Sequence, residues 1–139
     1  MTFSFSDTSM ERMKGVDSDL QIVFHAALDD SPIDFGIPAH GGRRTPGEQN
    51  ELFIQNLSKC DGFNTKSKHQ SGNALDFYAY VNGKASWDKV HLAMVASCIL
   101  TTAKRLKIEG LIDSELEWGG TFDSNSFDGW DMPHIAKKS

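Results

Sequence analysis

Apolar residues recur at helical spacing in two long segments of the chain. The first segment begins after the capping residues Asp17 and Ser18 and ends before Pro32. Its apolar positions fall on one face of a helix: Leu20, Val23, Phe24, Ala27 and Leu28. The second segment begins at Ser86 and Trp87, and its apolar positions are Val90, Met94, Ala96, Cys98, Ile99, Ala103 and Leu106. Both segments predict helices, and the second, longer one is expected to be the central core helix.

Two further segments carry the start signals of helices. Asp7 and Thr8 precede a short apolar and charged run that predicts a brief capped helix near the N-terminus. Thr45, Pro46 and Glu48 form a capping-box pattern, with the proline at the first helical position. The helix that follows is expected to run to about residue 57 with three side chains facing inward: Leu52, Phe53 and Leu57.

The remaining apolar runs are short and predict strands. The best defined covers Ala74 to Val81 and ends at an Asn82-Gly83 turn, while the polar, Gly-containing segment before it is expected to be a loop that carries His69. Weaker strand signals lie at residues 33–39, 116–118 and 134–136. We therefore expect one α+β domain over residues 1–139, with helices packed on a small, mainly antiparallel sheet.

Composition supports a folded, acidic protein. The chain has 139 residues, of which 39% are hydrophobic and 24% are charged, and its formal net charge is -5. This balance suits one globular domain and excludes a disordered chain. No basic stripe is available to neutralise a phosphate backbone, so nucleic acid is not expected as a partner.

The sequence also limits the expected location and redox chemistry. It shows neither a signal peptide nor an apolar run of membrane-spanning length, so the protein is expected to fold in the cytoplasm without a membrane span. Cys60 and Cys98 lie far apart and lack the C-x-x-C spacing of a redox centre or thiol metal site. Both cysteines are expected to be reduced.

Two pairs of acidic and histidine residues suggest metal chemistry. Asp76 follows His69 by seven residues, and Asp131 precedes His134 by three. Catalytic zinc takes three protein ligands from His, Asp or Glu and leaves a position for water, so two histidines and one carboxylate satisfy the count. Surface acids and unrelated histidines remain the alternative interpretation of this spacing.

The local sequence suggests different roles within the second pair. Pro133 disfavours a helical conformation at Met132, and a flat strand would point Asp131 and His134 to opposite faces. A turn is therefore expected between them. We interpret His134 as a metal ligand and Asp131 as a general base that faces the attacking water.

These residues lie in motifs that resemble those of a known family. The segment from Ser67 to Asp76, SKHQSGNALD, matches the pattern S-x-H-x-x-G-x-A-x-D of zinc D-alanyl-D-alanine carboxypeptidases, dipeptidases and phage L-alanyl-D-glutamate endolysins. The family's D-x-x-H is met by Asp131 and His134, and its G-x-R-T by the segment 42–45. Residues 118–120 resemble the W-G-G turn of the family, and residues 76–84 are particularly similar to the phage endolysins.

This resemblance implies a fold, a cofactor and a set of roles. The fold would be that of the hedgehog and D-Ala-D-Ala-peptidase group, with one Zn²⁺ bound by His69, Asp76 and His134. Asp131 would be the catalytic base, and Arg44, favoured over Arg43 by register, would stabilise the oxyanion or orient a substrate carboxylate. The implied activity is that of a phage endolysin, a zinc-dependent endopeptidase that cleaves L-alanyl-D-glutamate bonds in peptidoglycan stems.

Other residues have secondary roles in this interpretation. Ser67 is expected to support the site by hydrogen bonding, His40 to line the cleft, and Trp130 to contact substrate or belong to the core. A polar loop offers oxygen atoms of the kind that Ca²⁺ accepts, although it lacks the full calcium-loop pattern. Its candidate calcium ligands are Asp123, Asn125 and Asp128.

Several alternatives remain open at the level of the sequence. A D-alanyl-D-alanine carboxypeptidase or dipeptidase would share the fold, and a non-catalytic module that binds the bacterial wall would share the fold and the zinc. A non-haem iron oxygenase also uses two histidines and a carboxylate, but the usual spacing of its ligands is absent. The endolysin interpretation predicts a monomer that stays in the host cytoplasm until a separate holin releases it to act on the wall.

Overall fold

The computed structural model describes residues 3–121 and 131–139, and this part of the chain contains both helices and strands. The α-helices are α1 (Asp7–Arg12), α2 (Ser18–Asp30), α3 (Pro46–Ile54) and α4 (Lys89–Ile108). The strands are β1 (Asp34–Gly36), β2 (Ala74–Asp76), β3 (Tyr78–Val81), β4 (Lys84–Ser86), β5 (Leu116–Trp118) and β6 (His134–Lys137). Two 3-10 helices cover Lys68–Ser71 and Gly119–Thr121. No described helix combines the length and apolar character needed to cross a membrane.

The strands form two antiparallel sheets of three strands each. One sheet has the order β1-β3-β4 and the other the order β2-β6-β5. In the first sheet, β3 and β4 are joined by Asn82 and Gly83, which both have positive φ values (54° and 80°). Two such residues suit the tight turn of a hairpin, so the predicted Asn-Gly turn is confirmed.

The core lies where α2 and α4 pack against each other and against the sheets. Leu20, Val23 and Phe24 on α2 are fully buried, as are Val95 and Ile99 on α4. Helix α4 contacts β3 in one sheet and β5 in the other, which makes it the central helix of the core, as predicted. Each buried aliphatic or phenylalanine side chain stabilises the fold by about 1.5–3 kcal/mol relative to an exposed one.

The α+β class is confirmed, but the predicted strands were too few, and two of the four were too long. The predicted strand over residues 74–81 is divided at Phe77, because β2 pairs with β6 in one sheet and β3 pairs with β1 and β4 in the other. The segment at residues 33–39 forms a strand only at Asp34–Gly36. Strand β4 ends at Ser86, so α4 begins three residues later than expected, at Lys89.

Helix α3 begins as predicted but ends early and faces differently. The capping box of Thr45 and Glu48 is formed, and Pro46 occupies the first turn. The helix ends at Ile54, while Phe53 and Leu57 are 42% and 66% exposed. The prediction that these two side chains face inward was wrong. The buried residue of this helix is the polar Gln49, which is 0% exposed.

Candidate metal centre

His69 lies on a short 3-10 helix with defined ends. The Ser67 side chain caps the helix Lys68–Ser71 by accepting a hydrogen bond from the N–H of His69 at 3.2 Å. Gly72 ends it with a φ of +76°, and a Cβ at this position would lie 2.5 Å from the carbonyl oxygen of Gly15. A side chain is therefore excluded at Gly72 by both conformation and space. The cap and the glycine fix the position of His69, whose side chain is buried.

Asp76 and His134 are brought together by strand pairing. They are direct partners in the antiparallel register of β2 and β6, which places their side chains on the same face of the sheet. A turn precedes His134, and in it the N–H of His134 donates to the carbonyl of Asp131 at 3.1 Å. The sequence analysis expected such a turn between Asp131 and His134. Its effect is to bring Asp131 back beside the ligand face.

The three side chains present a compact group of ligand atoms. His69 Nε2 lies 3.2 Å from His134 Nδ1 and 3.2 Å from Asp76 Oδ1, and His134 Nδ1 lies 3.1 Å from Asp76 Oδ1. A tetrahedral ion with ligand distances of 2.0–2.1 Å separates its ligands by about 3.3 Å. The group formed by His69, Asp76 and His134 can therefore hold a metal ion. Two imidazoles and one carboxylate form a donor set that zinc accepts.

The ring of His69 is oriented by the main chain. Its Nδ1 lies 2.9 Å from the carbonyl oxygen of Gly42, to which the protonated nitrogen donates. This hydrogen bond sets the tautomer and leaves Nε2 as the ligand atom, an arrangement common for metal-bound histidines. Gly42 approaches the carbonyl of Arg12 so closely that a Cβ would lie 1.9 Å from that oxygen. A residue other than glycine would displace this support.

The two oxygens of Asp76 have different partners. Oδ1 faces the two histidines, whereas Oδ2 accepts a hydrogen bond from an Nη2–H of Arg44 at 3.1 Å. Burial acts to raise the pKa of Asp76, but the charge of His69 and hydrogen bonds with His134 and His69 outweigh it, and the pKa is held well below its usual range. Asp76 is therefore an anion, as a metal ligand must be.

Arg44 is held in place by three different acceptors. Its Nε–H donates to the carbonyl of His40 at 2.7 Å, an Nη1–H to Oε1 of Gln49 at 3.0 Å, and an Nη2–H to Asp76. Burial lowers the pKa of Arg44, and the nearby carboxylates of Asp76 and Asp131 oppose this shift. Because two of its five N–H groups have no acceptor among these three, Arg44 can orient Asp76 and still donate into the cleft.

Asp131 lies beside the ligand group without belonging to it. Its Oδ2 is 3.7 Å from Nδ1 of His134, and its side chain is 26% exposed. Burial raises the pKa of Asp131, and the charge of Asp76 acts in the same direction, against the opposing effect of His134. A carboxylate with a raised pKa is a better proton acceptor, as a general base requires.

The other predicted site residues differ in their position relative to the cleft. Ser67 supports the site through its cap, whereas His40 does not line the cleft: its imidazole is half exposed and bonds to Glu48 at 3.1 Å. His40 meets the site only through its carbonyl. Four predicted residues lie outside the described part of the chain: Trp130 and the candidate calcium ligands Asp123, Asn125 and Asp128.

The sequence analysis missed Gln49, which connects the metal centre to the neighbouring segment. Its amide oxygen accepts from Arg44, and its Nε2 donates to Oγ of Ser58 at 2.7 Å and to the carbonyl of Cys60 at 2.9 Å. Gln49 lies five residues after Arg44, in the first turns of α3. The capping box that fixes the start of α3 could have indicated this proximity.

The centre opens into a cleft of about 300 Å³. The cleft is lined by charged and small residues: Arg44, Leu57, Ser58, Lys59, Cys60, Lys66, Ser67, Lys68, His69, Asp76, Glu117, Asp131 and His134. A larger, shallower depression of about 740 Å³ runs along α4 but contains none of the three ligand residues. Because chemistry needs the ligand group, we place the functional site in the smaller cleft.

Comparisons with known proteins identify the family of the chain. A family model described as phage L-alanyl-D-glutamate peptidase matches residues 1–136. The L-alanyl-D-glutamate peptidase of Escherichia phage T5 is 37% identical over 91 residues, which cover 63% of this chain and 62% of that relative. The crystal structure of the Serratia marcescens L-Ala D-Glu endopeptidase ChiX superposes with a TM-score of 0.77 at 26% identity, covering 97% of this chain and 90% of ChiX.

Proposed function

The chain belongs to the family of phage L-alanyl-D-glutamate peptidases, and from this premise we propose that it is a zinc-dependent peptidoglycan endopeptidase. The bond cleaved is the one between L-alanine and D-glutamate in the peptide stems of the bacterial wall. The observation that carries the proposal is the ligand group of His69, Asp76 and His134, with Asp131 3.7 Å from His134 in the same cleft.

The donor set supports zinc as the cofactor. His69, Asp76 and His134 would hold one ion per chain, with His69 oriented by the carbonyl of Gly42 and Asp76 by Arg44. When bound, zinc supplies a Lewis acid that acidifies water and polarises a carbonyl oxygen. A half-buried carboxylate and two imidazoles, without a thiolate in the group, suit zinc better than metals that prefer sulfur ligands.

Asp131 supplies the proton transfers of hydrolysis. Its carboxylate accepts a proton from the attacking water and later returns it to the nitrogen of the departing D-glutamyl amine. The partial burial that raises its pKa makes it a stronger base while leaving it accessible from the cleft. Retention of this residue beside the ligand group argues against a non-catalytic module that only binds the wall.

Arg44 stabilises negative charge in two places. An Nη2–H donates to Oδ2 of Asp76, and two further N–H groups have no acceptor among His40, Gln49 and Asp76, so they can donate to a ligand in the cleft that Arg44 lines. A fixed guanidinium near the attacked carbonyl stabilises the charge that develops on its oxygen. The three acceptors of Arg44 keep the group preorganised, so little reorganisation is needed during the reaction.

The comparisons favour one bond over the alternative. The phage T5 relative and ChiX are both named for L-alanyl-D-glutamate cleavage, whereas a D-alanyl-D-alanine carboxypeptidase would release only the terminal residue. The phage family further supports the role of an endolysin. On this proposal the protein acts as a monomer, waits in the host cytoplasm and reaches the wall after a separate holin opens the membrane.

Mass spectrometry of fragments from purified peptidoglycan tests the proposal. The zinc-loaded protein is expected to leave free L-alanyl carboxyl termini on the glycan and to release peptides with D-glutamyl N-termini. A zinc chelator is expected to abolish both products. Release of free D-alanine alone would change the assignment to a carboxypeptidase, and the absence of any product would contradict the proposal.

A further inference from the structure

The cleft carries more positive charge than the protein as a whole. Fourteen Lys and Arg residues stand against nineteen Asp and Glu residues in the chain, giving a net charge of -5. The residues that line the cleft nevertheless include four cations and three carboxylates, before any metal is added. Three of these cations, Lys59, Lys66 and Lys68, belong to one stretch, residues 57–68, which we call the basic segment. A cleft lined in this way attracts an anionic ligand.

The basic segment is held by several hydrogen bonds although it contains little regular secondary structure. Oδ1 of Asp61 accepts hydrogen bonds from three successive N–H groups, those of residues 63–65, at 2.8–2.9 Å. The segment is also tied to α3, because Gln49 donates to Ser58 and to the carbonyl of Cys60, and Asn50 donates to the carbonyl of Asp61. Its lysines therefore project from a fixed frame.

The cations that line the cleft differ in whether they form ion pairs within the protein. Arg44 is paired with Asp76 at 3.1 Å, and Nζ of Lys68 is paired with Glu117 at 3.0 Å and also donates to the carbonyl of Lys137. Lys66 is exposed and takes part in no ion pair among residues 3–121 and 131–139. It is thus the lysine of the basic segment best suited to accept a new anionic partner.

The proposed substrate supplies such a partner beside the scissile bond. In peptidoglycan stems the D-glutamyl residue continues the chain through its side-chain carboxyl group. Its α-carboxyl group, two bonds from the scissile nitrogen, is therefore either a free carboxylate or, after amidation, a neutral carboxamide. An ammonium group bonds strongly to the carboxylate but gains much less from the amide.

We infer that Lys66 forms a carboxylate subsite for the D-glutamyl α-carboxyl group and makes the enzyme prefer non-amidated stems. The inference rests on the proposed function, because the position of the carboxylate follows from the bond that is cleaved. Lys59, on the same segment, adds to the positive field of the cleft. Lys66 is a specificity-determining residue in this scheme, while Asp131 and the ligand group perform the reaction.

The test compares two substrates that differ in one group. These are N-acetylmuramyl-L-alanyl-γ-D-glutamyl-L-lysine and N-acetylmuramyl-L-alanyl-D-isoglutaminyl-L-lysine, assayed with the zinc-loaded full chain. The wild type is expected to favour the carboxylate in kcat/KM by about tenfold, the effect of one charge-assisted hydrogen bond. Lys66→Met is expected to bring the ratio close to one by raising KM for the carboxylate substrate, and Lys66→Arg to keep the preference.

Controls separate a subsite from a general charge effect. Lys104→Met removes an exposed lysine of α4 that does not line the cleft, and it is expected to leave the ratio at its wild-type value. The inference is overturned if the wild type shows no preference for the carboxylate, if Lys66→Met keeps the preference, or if Lys104→Met abolishes it.

A binding measurement distinguishes failure of the inference from failure of the proposed function. If the wild type hydrolyses neither substrate, the proposed endopeptidase activity is wrong. Calorimetric titration then decides whether the subsite exists. The two ligands are γ-D-glutamyl-lysine and the same dipeptide amidated at the α-carboxyl group of its D-glutamyl residue. Tighter binding of the carboxylate that is lost in Lys66→Met supports the subsite, and equal binding of the two compounds to the wild type overturns it.

Discussion

The metal centre and the basic segment line the same cleft but are built in different ways. Asp76 and His134 of the centre face each other because β2 and β6 pair in register, so their positions follow from main-chain hydrogen bonds. The basic segment is held mainly by side chains, with Gln49 and Asn50 tying it to α3 and Asp61 closing its turn.

This difference separates catalysis from recognition. A strand register is maintained by many hydrogen bonds, so one side-chain substitution at the centre removes a ligand without moving the others. A segment that depends on a few side-chain hydrogen bonds responds to the loss of any one of them. Substitutions in the two regions should therefore differ in whether they affect the metal, the reaction or the binding of substrate.

The largest effect is expected from His69→Ala. Zinc content is expected to fall from one ion per chain to near zero, and hydrolysis of peptidoglycan to background, because two ligands do not retain the ion. Metal analysis by mass spectrometry and a turbidity assay measure the two quantities. His25→Ala, which removes an exposed histidine of α2, serves as the matched control. Unchanged zinc content in His69→Ala would remove His69 from the ligand set.

Asp131→Asn should separate metal binding from the reaction. The amide keeps the size of the side chain but cannot act as a base, so kcat is expected to fall by about 10²–10⁴-fold while one zinc ion remains bound. Steady-state kinetics and metal analysis of the same sample provide the comparison. Asp113→Asn, at an exposed carboxylate outside the cleft, should change neither quantity. If Asp131→Asn hydrolyses the substrate as fast as the wild type, Asp131 is not the general base.

Gln49→Leu addresses the connection between the two regions. It removes one of the three acceptors of Arg44 and the two hydrogen bonds that Gln49 donates to the basic segment. These losses leave polar groups unpaired and should lower the free energy of unfolding by about 1–3 kcal/mol. KM is expected to rise while the zinc content stays near one ion per chain, because Asp76 and His134 keep their strand register. Urea unfolding and kinetics test this, with Gln55→Leu at the exposed end of α3 as control. Loss of zinc from Gln49→Leu would show that the two regions are not separable.

The smallest effect concerns the response of the basic segment to acid. Hydrogen bonds from the N–H groups of Thr65 and Phe63 hold the pKa of Asp61 below its usual range. The stabilisation is therefore present above the unfolded-state pKa of about 3.9 and is lost as the pH falls through the folded-state pKa.

Asp61→Asn is expected to lower stability slightly at pH 5–7, and the difference from the wild type should shrink as the pH falls below about 4. Urea unfolding of the metal-free protein across this range measures the difference without interference from zinc release. A difference that grows as the pH falls would contradict the assigned role of Asp61.

Local signals in the sequence were sufficient for the elements that depend on neighbouring residues. The Asn82-Gly83 turn and the capping box at Thr45 were predicted because their residues prescribe the backbone conformation directly. The motif around His69 and Asp76 likewise located a ligand group that the fold brings together. In these places the residues that form the sequence pattern are the same residues that determine the local structure.

Features that depend on distant partners were not predictable in this way. Residues 74–81 are divided at Phe77 because β2 pairs with β6 and β3 with β1, and both partners are distant in the sequence. The inward orientation of Gln49 in place of Phe53 depends on Arg44 and on the basic segment, which provide the polar partners that its burial requires. The register of Asp76 with His134 also has no counterpart in hydrophobic periodicity.

X-ray absorption at the zinc edge of the loaded protein tests the ligand set most directly. His69, Asp76 and His134 predict a shell of nitrogen and oxygen atoms at about 2.0–2.2 Å that includes imidazole scattering from two histidines. Cys60 lines the same cleft and offers a thiol as a competing ligand. A sulfur atom at about 2.3 Å in the shell would contradict the assignment of the metal centre.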